Sequence, residues 1–262
     1  MEAYIIPIIL ATIIIAALCY YFALLPARNG FRVLMYHHIK PNQNDGLCVS
    51  SQNFEKHLTY LTQSNYHIIS GSDLYNHLKS KSKLPENSVL ITFDDAYQNF
   101  VDHALPVLNN NKMPAMVFVP TAYIGGVNEW DHGQEPLMNA DTLKSLPTNI
   151  ELAIHCHKHI NYGASMLNVV EDDITSAERT LESLYIKYIP FLAYPYGAFP
   201  RHEKTFGLMK SIMKSRKIKA AFRIGNKINP LKPKPKYLIK RLDIRGDENF
   251  LAFKRKVKYG KL

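Results

Sequence analysis

The stretch Val89-Leu-Ile-Thr-Phe-Asp94-Asp95-Ala-Tyr97 constrains this chain more than any other. It is mostly apolar for the length of a strand and then sets two carboxylates side by side. An apolar run this short suits a strand covered on both faces, as in a parallel sheet flanked by helices. Neighbours on a strand point to opposite sides, so Asp94 and Asp95 cannot share one task while the strand continues. At the C-terminal end of such a strand, where α/β folds gather their sites, a turn can bring both into one pocket in different roles. The competing reading is a helix cap, since an aspartate also accepts from free N–H groups.

The same arrangement recurs along the chain. Phe31-Arg-Val-Leu-Met-Tyr36 ends on His37 and His38, and Ile150-Glu-Leu-Ala-Ile154 ends on His155-Cys156-His157-Lys158-His159. Pro190 to Tyr194 ends on Pro195-Tyr196-Gly197. Further strand patterns lie at Tyr66–Ser70, Pro114–Pro120, Lys219–Ile224 and Tyr237–Ile244. Helical patterns lie between them at Phe54–Leu61, Gly71–Leu78, Phe100–Asn110, Asp172–Leu184 and Phe206–Arg216, and a basic helix closes the chain at Phe250–Tyr259. This alternation predicts an α/β domain with a parallel sheet. If the chain turns helical after Ile154, His155 and His159 fall one turn apart and converge. Two imidazoles and one carboxylate make a divalent-metal site with positions left for water and substrate. The loop Ile124–Asp131 carries the single tryptophan, Trp130, and is long enough to border a cleft.

Charge is unevenly placed. From Arg201 onward there are 20 Lys/Arg and 4 Asp/Glu, whereas the first 200 residues hold 12 and 18. A basic end of this kind suits anionic lipid head groups or nucleic acid. No nucleic-acid-reading motif accompanies it, so nucleic acid is not an expected partner. Cys19, Cys48 and Cys156 are odd in number and include no CxxC, which gives no disulfide framework. Ala3 to Leu25 contains no charged residue, long enough to cross a bilayer core of ~30 Å as a helix. Only Glu2 precedes it, where a signal peptide would place basic residues. The expectation is one N-terminal transmembrane helix over 1–28, acting as a single-pass membrane anchor, and a catalytic domain over 29–262. Arg28 and Arg32 flank its C-terminal side and vote for a cytoplasmic domain.

Thr92-Phe-Asp94-Asp95, then His155-x-x-x-His159, then Tyr194-Pro-Tyr-Gly197 together resemble the polysaccharide deacetylases, the NodB-homology group of carbohydrate esterase family 4. The resemblance runs from about Phe31 to Arg245. It implies a distorted (β/α) barrel of about seven strands that removes acetyl groups from an N-acetylated glycan or glycolipid with a divalent metal. By that resemblance the metal is zinc, with cobalt, nickel or manganese as alternatives. Asp94 matches the family's general base, and Asp95, His155 and His159 match its metal ligands. Tyr196, between Pro195 and Gly197, would offer a backbone N–H to the forming oxyanion, and Trp130 would line the substrate cleft. Three departures stand out: Cys156 replaces the usual Ser or Thr, Ala193 stands where an Arg often orients the base, and no histidine follows His202. The branch containing poly-N-acetylglucosamine deacetylases supplies its acid from an early Tyr-His motif, which here is Tyr36-His37. This assigns the acid to His37, with His38 as the alternative; Arg241 or Asp243, by position on the last strand, is the candidate for orienting one of these groups. The rival class is a catalytically inactive carbohydrate-binding module on the same barrel.

Overall fold

The structure is a computed structural model that describes residues 2–28 and 30–260, with side chains of the first helix described for residues 6–20. Seven parallel strands close into a barrel: β1 (Gly30–Tyr36), β2 (Ser88–Phe93), β3 (Ala115–Pro120), β4 (Ile150–Cys156), β5 (Ile189–Ala193), β6 (Ala220–Ile224) and β7 (Ile239–Asp243). Each pairs in parallel with the next, and β7 closes the ring on β1 through Leu34↔Leu242 and Met35↔Asp243.

The strands are apolar on both faces because each face is covered. Phe31, Val33, Leu90, Met116, Phe118, Phe191, Phe222 and Ile239 form one buried cluster. The Phe118 and Phe222 rings, on strands that are not neighbours, lie 5.5 Å apart, which places this cluster inside the barrel. Leu34, Tyr36, Val89, Ile91, Phe93, Val117 and Ile154 alternate with these positions and join the larger cluster beneath the surrounding helices. Extending the inner series along β2 gives Leu90, Thr92 and then Asp94, so the first carboxylate points to the barrel axis. Extending it along β4 gives Ala153 and then His155.

The barrel is distorted in ways that shape its mouth. His67–Ile69 pairs with the first half of β2, and β3 reaches only Thr92 and Phe93. Register shifts interrupt the β3–β4 pairing at Val119/Pro120 and the β4–β5 pairing at Ala153/Ile154. A small two-stranded sheet, His38–Lys40 with Cys48–Ser50, follows β1 and has no counterpart in the sequence reading.

The helix Glu2–Arg28 precedes the barrel, and its described side chains, residues 6–20, are exposed throughout. No helix of the described residues is by itself long and apolar enough to cross a membrane, and both ends of the expected anchor lie outside the described side chains. Arg32 is not a flanking charge. It is buried in β1, and its guanidinium donates to the carbonyls of Val257 and Gly30.

Candidate metal and acid–base site

The register of β1 on β2 pairs Tyr36 with Phe93, so His37 and Asp94 leave the barrel at the same level. The Asp94 N–H donates to the Tyr36 carbonyl at 2.9 Å and holds the two strand ends together. From β7, Arg241 reaches across and grips Asp94 with two parallel bonds, Nη1 to Oδ1 at 2.5 Å and Nη2 to Oδ2 at 2.7 Å. Both side chains are buried. Burial alone would favour the neutral acid, but the Arg241 guanidinium, with His155 and His37 nearby, outweighs it and holds Asp94 below the usual carboxylate range. His37 Nε2 lies 3.9 Å from Asp94 Oδ2 at the edge of solvent.

Asp95 is turned away from Asp94 by its backbone. Asp95 and Ala96 both take left-handed conformations, φ +70° and +54°, an arrangement a short polar residue tolerates better than most. The turn swings the Asp95 carboxylate beside the end of β4. Its Oδ1 lies 3.3 Å from His155 Nε2 and 3.3 Å from His159 Nε2, and the two nitrogens lie 3.2 Å apart. Oδ1 is buried with no hydrogen-bond donor. His155 Nδ1 donates to the Ala193 carbonyl at 2.9 Å, leaving Nε2 as a lone pair aimed at the same point. Burial disfavours a charged His155, yet Asp94 and Asp95 raise its affinity for a proton, and the same field would favour a divalent cation there. The fit is quantitative. Ligand atoms ~2.0–2.1 Å from a tetrahedral ion are separated by about 3.3–3.4 Å, close to the observed triangle.

Residues 81–206, which contain Asp94, Asp95, His155, His159 and Tyr196, match the polysaccharide deacetylase family. Over this stretch the chain is similar to that family. Among curated proteins it is 26% identical over 159 residues to a poly-beta-1,6-N-acetyl-D-glucosamine N-deacetylase of Staphylococcus aureus (strain MRSA252), covering 57% of this chain and 53% of that one. The chain thus spans about half the length of the curated relatives it matches. Among solved structures, IcaB from Ammonifex degensii superposes with a TM-score of 0.72 at 18% identity, covering 89% of this chain and 98% of that one. The Streptococcus pyogenes deacetylase PplD, in complex with acetate, gives 0.72 at 18%, covering 89% and 99%. These likenesses establish a shared fold.

Around the Asp95–His155–His159 triangle the loops are stitched to one another. The His159 N–H donates to Cys156 Sγ at 3.1 Å, so the buried cysteine serves as an acceptor that fixes the second imidazole. Burial pushes the Cys156 thiol well up, which keeps it protonated rather than a thiolate ligand. Asp173 accepts from the His157 and Lys158 N–H groups and from the Tyr162 hydroxyl, anchoring the same loop from beneath. The loop carrying Trp130 is sewn to the Asp95 turn by Met138 N–H to the Ala96 carbonyl and Gln98 N–H to the Pro136 carbonyl. Trp130 therefore stacks on His159, ring centroids 4.6 Å apart, and Tyr196 meets the same imidazole edge-on at 4.7 Å. Pro195, Tyr196 and Gly197 form a single tight turn in which Tyr196 has φ +57° and Gly197 φ +64°. A Cβ at Gly197 would come within 3.0 Å of the Ile224 backbone, so this turn needs glycine there.

Three sequence candidates fall elsewhere. His38 turns to the opposite side of the chain from His37, where its Nδ1 accepts from Asn99 and its ring packs on Tyr97. Burial and Lys40 push it down to about 4, which leaves it neutral and bonded away from Asp94. His157 meets Thr121 Oγ1 at 2.9 Å rather than the triangle. Asp243 lies two residues beyond Arg241 on the same strand face, at the very end of β7, and its described hydrogen bonds are made by the backbone, with Asn226 and Lys256. The sequence reading did not single out Asp173 or Asn99. Their only sequence signal is a polar residue on the buried side of a helix.

Proposed function

We propose that this protein hydrolyses the acetamide of an N-acetylated glycan, with poly-β-1,6-N-acetylglucosamine as the leading substrate class, and that it does so with a divalent metal. The observation that supports it most is the convergence of Asp95, His155 and His159 beside an arginine-clamped Asp94. Three potential ligand atoms lie within 3.3 Å of one another in a buried pocket, the spacing of donors around a single cation. The donor set and its spacing favour zinc, with cobalt, nickel or manganese as substitutes.

A cation held by Asp95, His155 and His159 would polarise the acetyl carbonyl and lower the pKa of a bound water. Asp94 takes the proton of the attacking water, its two oxygens fixed by Arg241 and its ionised form secured by that contact. The Tyr196 N–H, aimed by the Pro195–Gly197 turn, meets the carbonyl oxygen as negative charge grows on it. His37 delivers a proton to the amine as the C–N bond breaks, leaving acetate and a free amino sugar. Trp130 and Tyr196 form apolar walls against which a sugar ring can lie. Arg241 fills the place left by the missing arginine at Ala193, which removes the main argument for an inactive binding module. The helix Glu2–Arg28 is read as a single-pass N-terminal anchor that keeps the domain, residues 29–262, at a membrane.

The test is acetate release by the full chain from β-1,6-linked N-acetylglucosamine oligomers and from chito-oligosaccharides, after chelation and after return of single metals. Activity that metal restores and that Asp94→Asn abolishes is expected. Glycan binding without turnover under every metal would sink the hydrolase reading.

A further inference from the structure

Every strand of a parallel barrel starts at the same end, and here that end lies opposite the site. The segments 79–87, 111–114, 184–188, 216–219 and 231–238 lead into β2, β3, β5, β6 and β7. Together they hold eleven Lys/Arg and one acidic residue, Glu86. The segments that leave the strands at the other end hold eight Asp/Glu and five Lys/Arg. The barrel therefore carries an electrical polarity along its axis that the chain's net charge does not reveal.

The positive end has a shaped centre. Lys81, Lys83, Lys232, Lys234 and Lys236 line a groove of about 670 Å³, all five exposed and none in an ion pair with a described residue. His77 ties its two walls together, with ring nitrogens 3.0 Å from the Ser82 carbonyl and 2.6 Å from that of Leu231. Two apolar side chains stand out at the same end: Tyr185 is 89% exposed and Leu231 40%. Finally, the apolar helix Glu2–Arg28 stops two residues before Gly30 begins β1, so it leaves the barrel from this end and no other.

We propose that the strand-start end of the barrel rests on a bilayer containing anionic phospholipid, its groove lysines on the headgroup phosphates and Tyr185 at the interface. The inference rests on reading Glu2–Arg28 as an anchor. A free polyanion would explain the lysines, but not an exposed tyrosine and leucine beside them or an apolar helix leaving from the same face. The consequence is an orientation. The acidic mouth with its metal triangle faces away from the membrane, toward a glycan extending from it.

The full chain is placed in nanodiscs of phosphatidylcholine alone and of phosphatidylcholine with phosphatidylglycerol. Acylation of each lysine by a water-soluble reagent is followed by mass spectrometry. Lys81, Lys83, Lys232, Lys234 and Lys236 should react several-fold more slowly in the anionic discs, and high salt should remove the difference. Lys158, exposed at the mouth, should react equally in both. Charge reversal at Lys232, Lys234 and Lys236 should erase the effect without changing turnover of a soluble oligomer. Equal rates in both discs, or slowing at Lys158 instead, would overturn the orientation. Protection by soluble polyphosphate as strong as by the anionic bilayer would overturn it too, and assign the groove to a soluble polyanion. Flotation separates these outcomes from a failed anchor: a chain that high salt washes off phosphatidylcholine vesicles has no membrane helix, whatever its lysines do.

Discussion

The two ends of the barrel use the same backbone conformation for different purposes. At the strand-start end, Asn65, Lys112, Tyr185 and Lys217 have positive φ, and each follows a helix and is exposed. These are ordinary helix stops, in which a left-handed residue lets the chain reverse. At the mouth, Asp95, Ala96, His159 and Tyr196 have positive φ in loops that follow strands, and the first three are buried. There the conformation aims side chains. One end is built from solvated charge that tolerates change, and the other from buried charge whose members depend on one another. The difference teaches where substitutions should matter: a buried carboxylate without its partner is expensive, whereas an exposed lysine is not.

The sharpest way to test that contrast is at Asp94. Asp94→Asn removes the proton acceptor while leaving a side chain of the same size against Arg241. Turnover should fall about 10²–10⁴-fold. Metal content, measured on the purified protein, should be retained, because Asp95, His155 and His159 are untouched. Loss of metal together with activity would place Asp94 among the ligands and break the division of labour between the two aspartates.

Arg241 comes next. Arg241→Met leaves Asp94 buried and unpaired, which should cost about 3–5 kcal/mol in denaturant unfolding at neutral pH. The sign with pH follows from the clamp. The depressed Asp94 contributes stability above the ordinary carboxylate range and loses it as pH falls through its lowered folded value. Without Arg241, burial raises that value, so the deficit of the variant should shrink on acidification. Arg241→Lys restores charge but not the two-pronged grip and should recover only part of both stability and rate. A deficit that does not change with pH would mean that Arg241 acts by packing alone.

A smaller effect is expected away from the mouth. His57 packs face to face on Phe253, centroids 3.7 Å apart, and burial with Lys256 nearby pushes it down to about 3. His38 is pushed down in the same way to about 4. Each stays neutral in the folded chain and takes up a proton on unfolding, so its contribution is full above about pH 6.5 and is lost as pH falls. For each histidine the loss is at most about 1.4 kcal/mol per pH unit between its unfolded and folded values. His57→Gln should flatten the unfolding free energy between pH 6.5 and 4 relative to the parent; an unchanged slope would remove His57 from the account.

Much of this was legible before the structure. Apolar runs that end on Asp94-Asp95, on His155 and on Pro195-Tyr196-Gly197 announce strands whose ends share a mouth, because a parallel barrel leaves no other place for them to meet. His155 and His159 do meet, but not through the helical turn that their spacing suggested: His155 lies at the end of β4 and His159 follows in a loop with φ +52°. What could not be read is pairing between distant elements. Position on the last strand marked Arg241 or Asp243 as an orienting group, but not which of the two or its partner: Arg241 lies 147 residues beyond Asp94, and only closure of β7 on β1 brings it there. The basic segments likewise looked like a tail, although the barrel gathers them with earlier lysines at one end. The Tyr36-His37 motif put His37 ahead of His38, but the physical reason, a new strand starting at His38 that turns its ring toward Asn99, could not be read.

Cys156 offers the finest test. Its sulfur accepts the His159 N–H, a task a hydroxyl oxygen performs as well, so Cys156→Ser should preserve metal affinity and turnover. Cys156→Val has similar bulk and no acceptor. It leaves a buried N–H unsatisfied, a cost of about 1–3 kcal/mol, and frees the second imidazole to wander. By analogy with other groups that orient metal ligands, affinity should fall about 10–100-fold, read by competition with a chromophoric chelator. The order serine near parent, valine far below, identifies an orienting acceptor. If serine and valine lose metal equally, sulfur itself holds the ion, and the protonated, buried thiol drawn from this geometry is wrong.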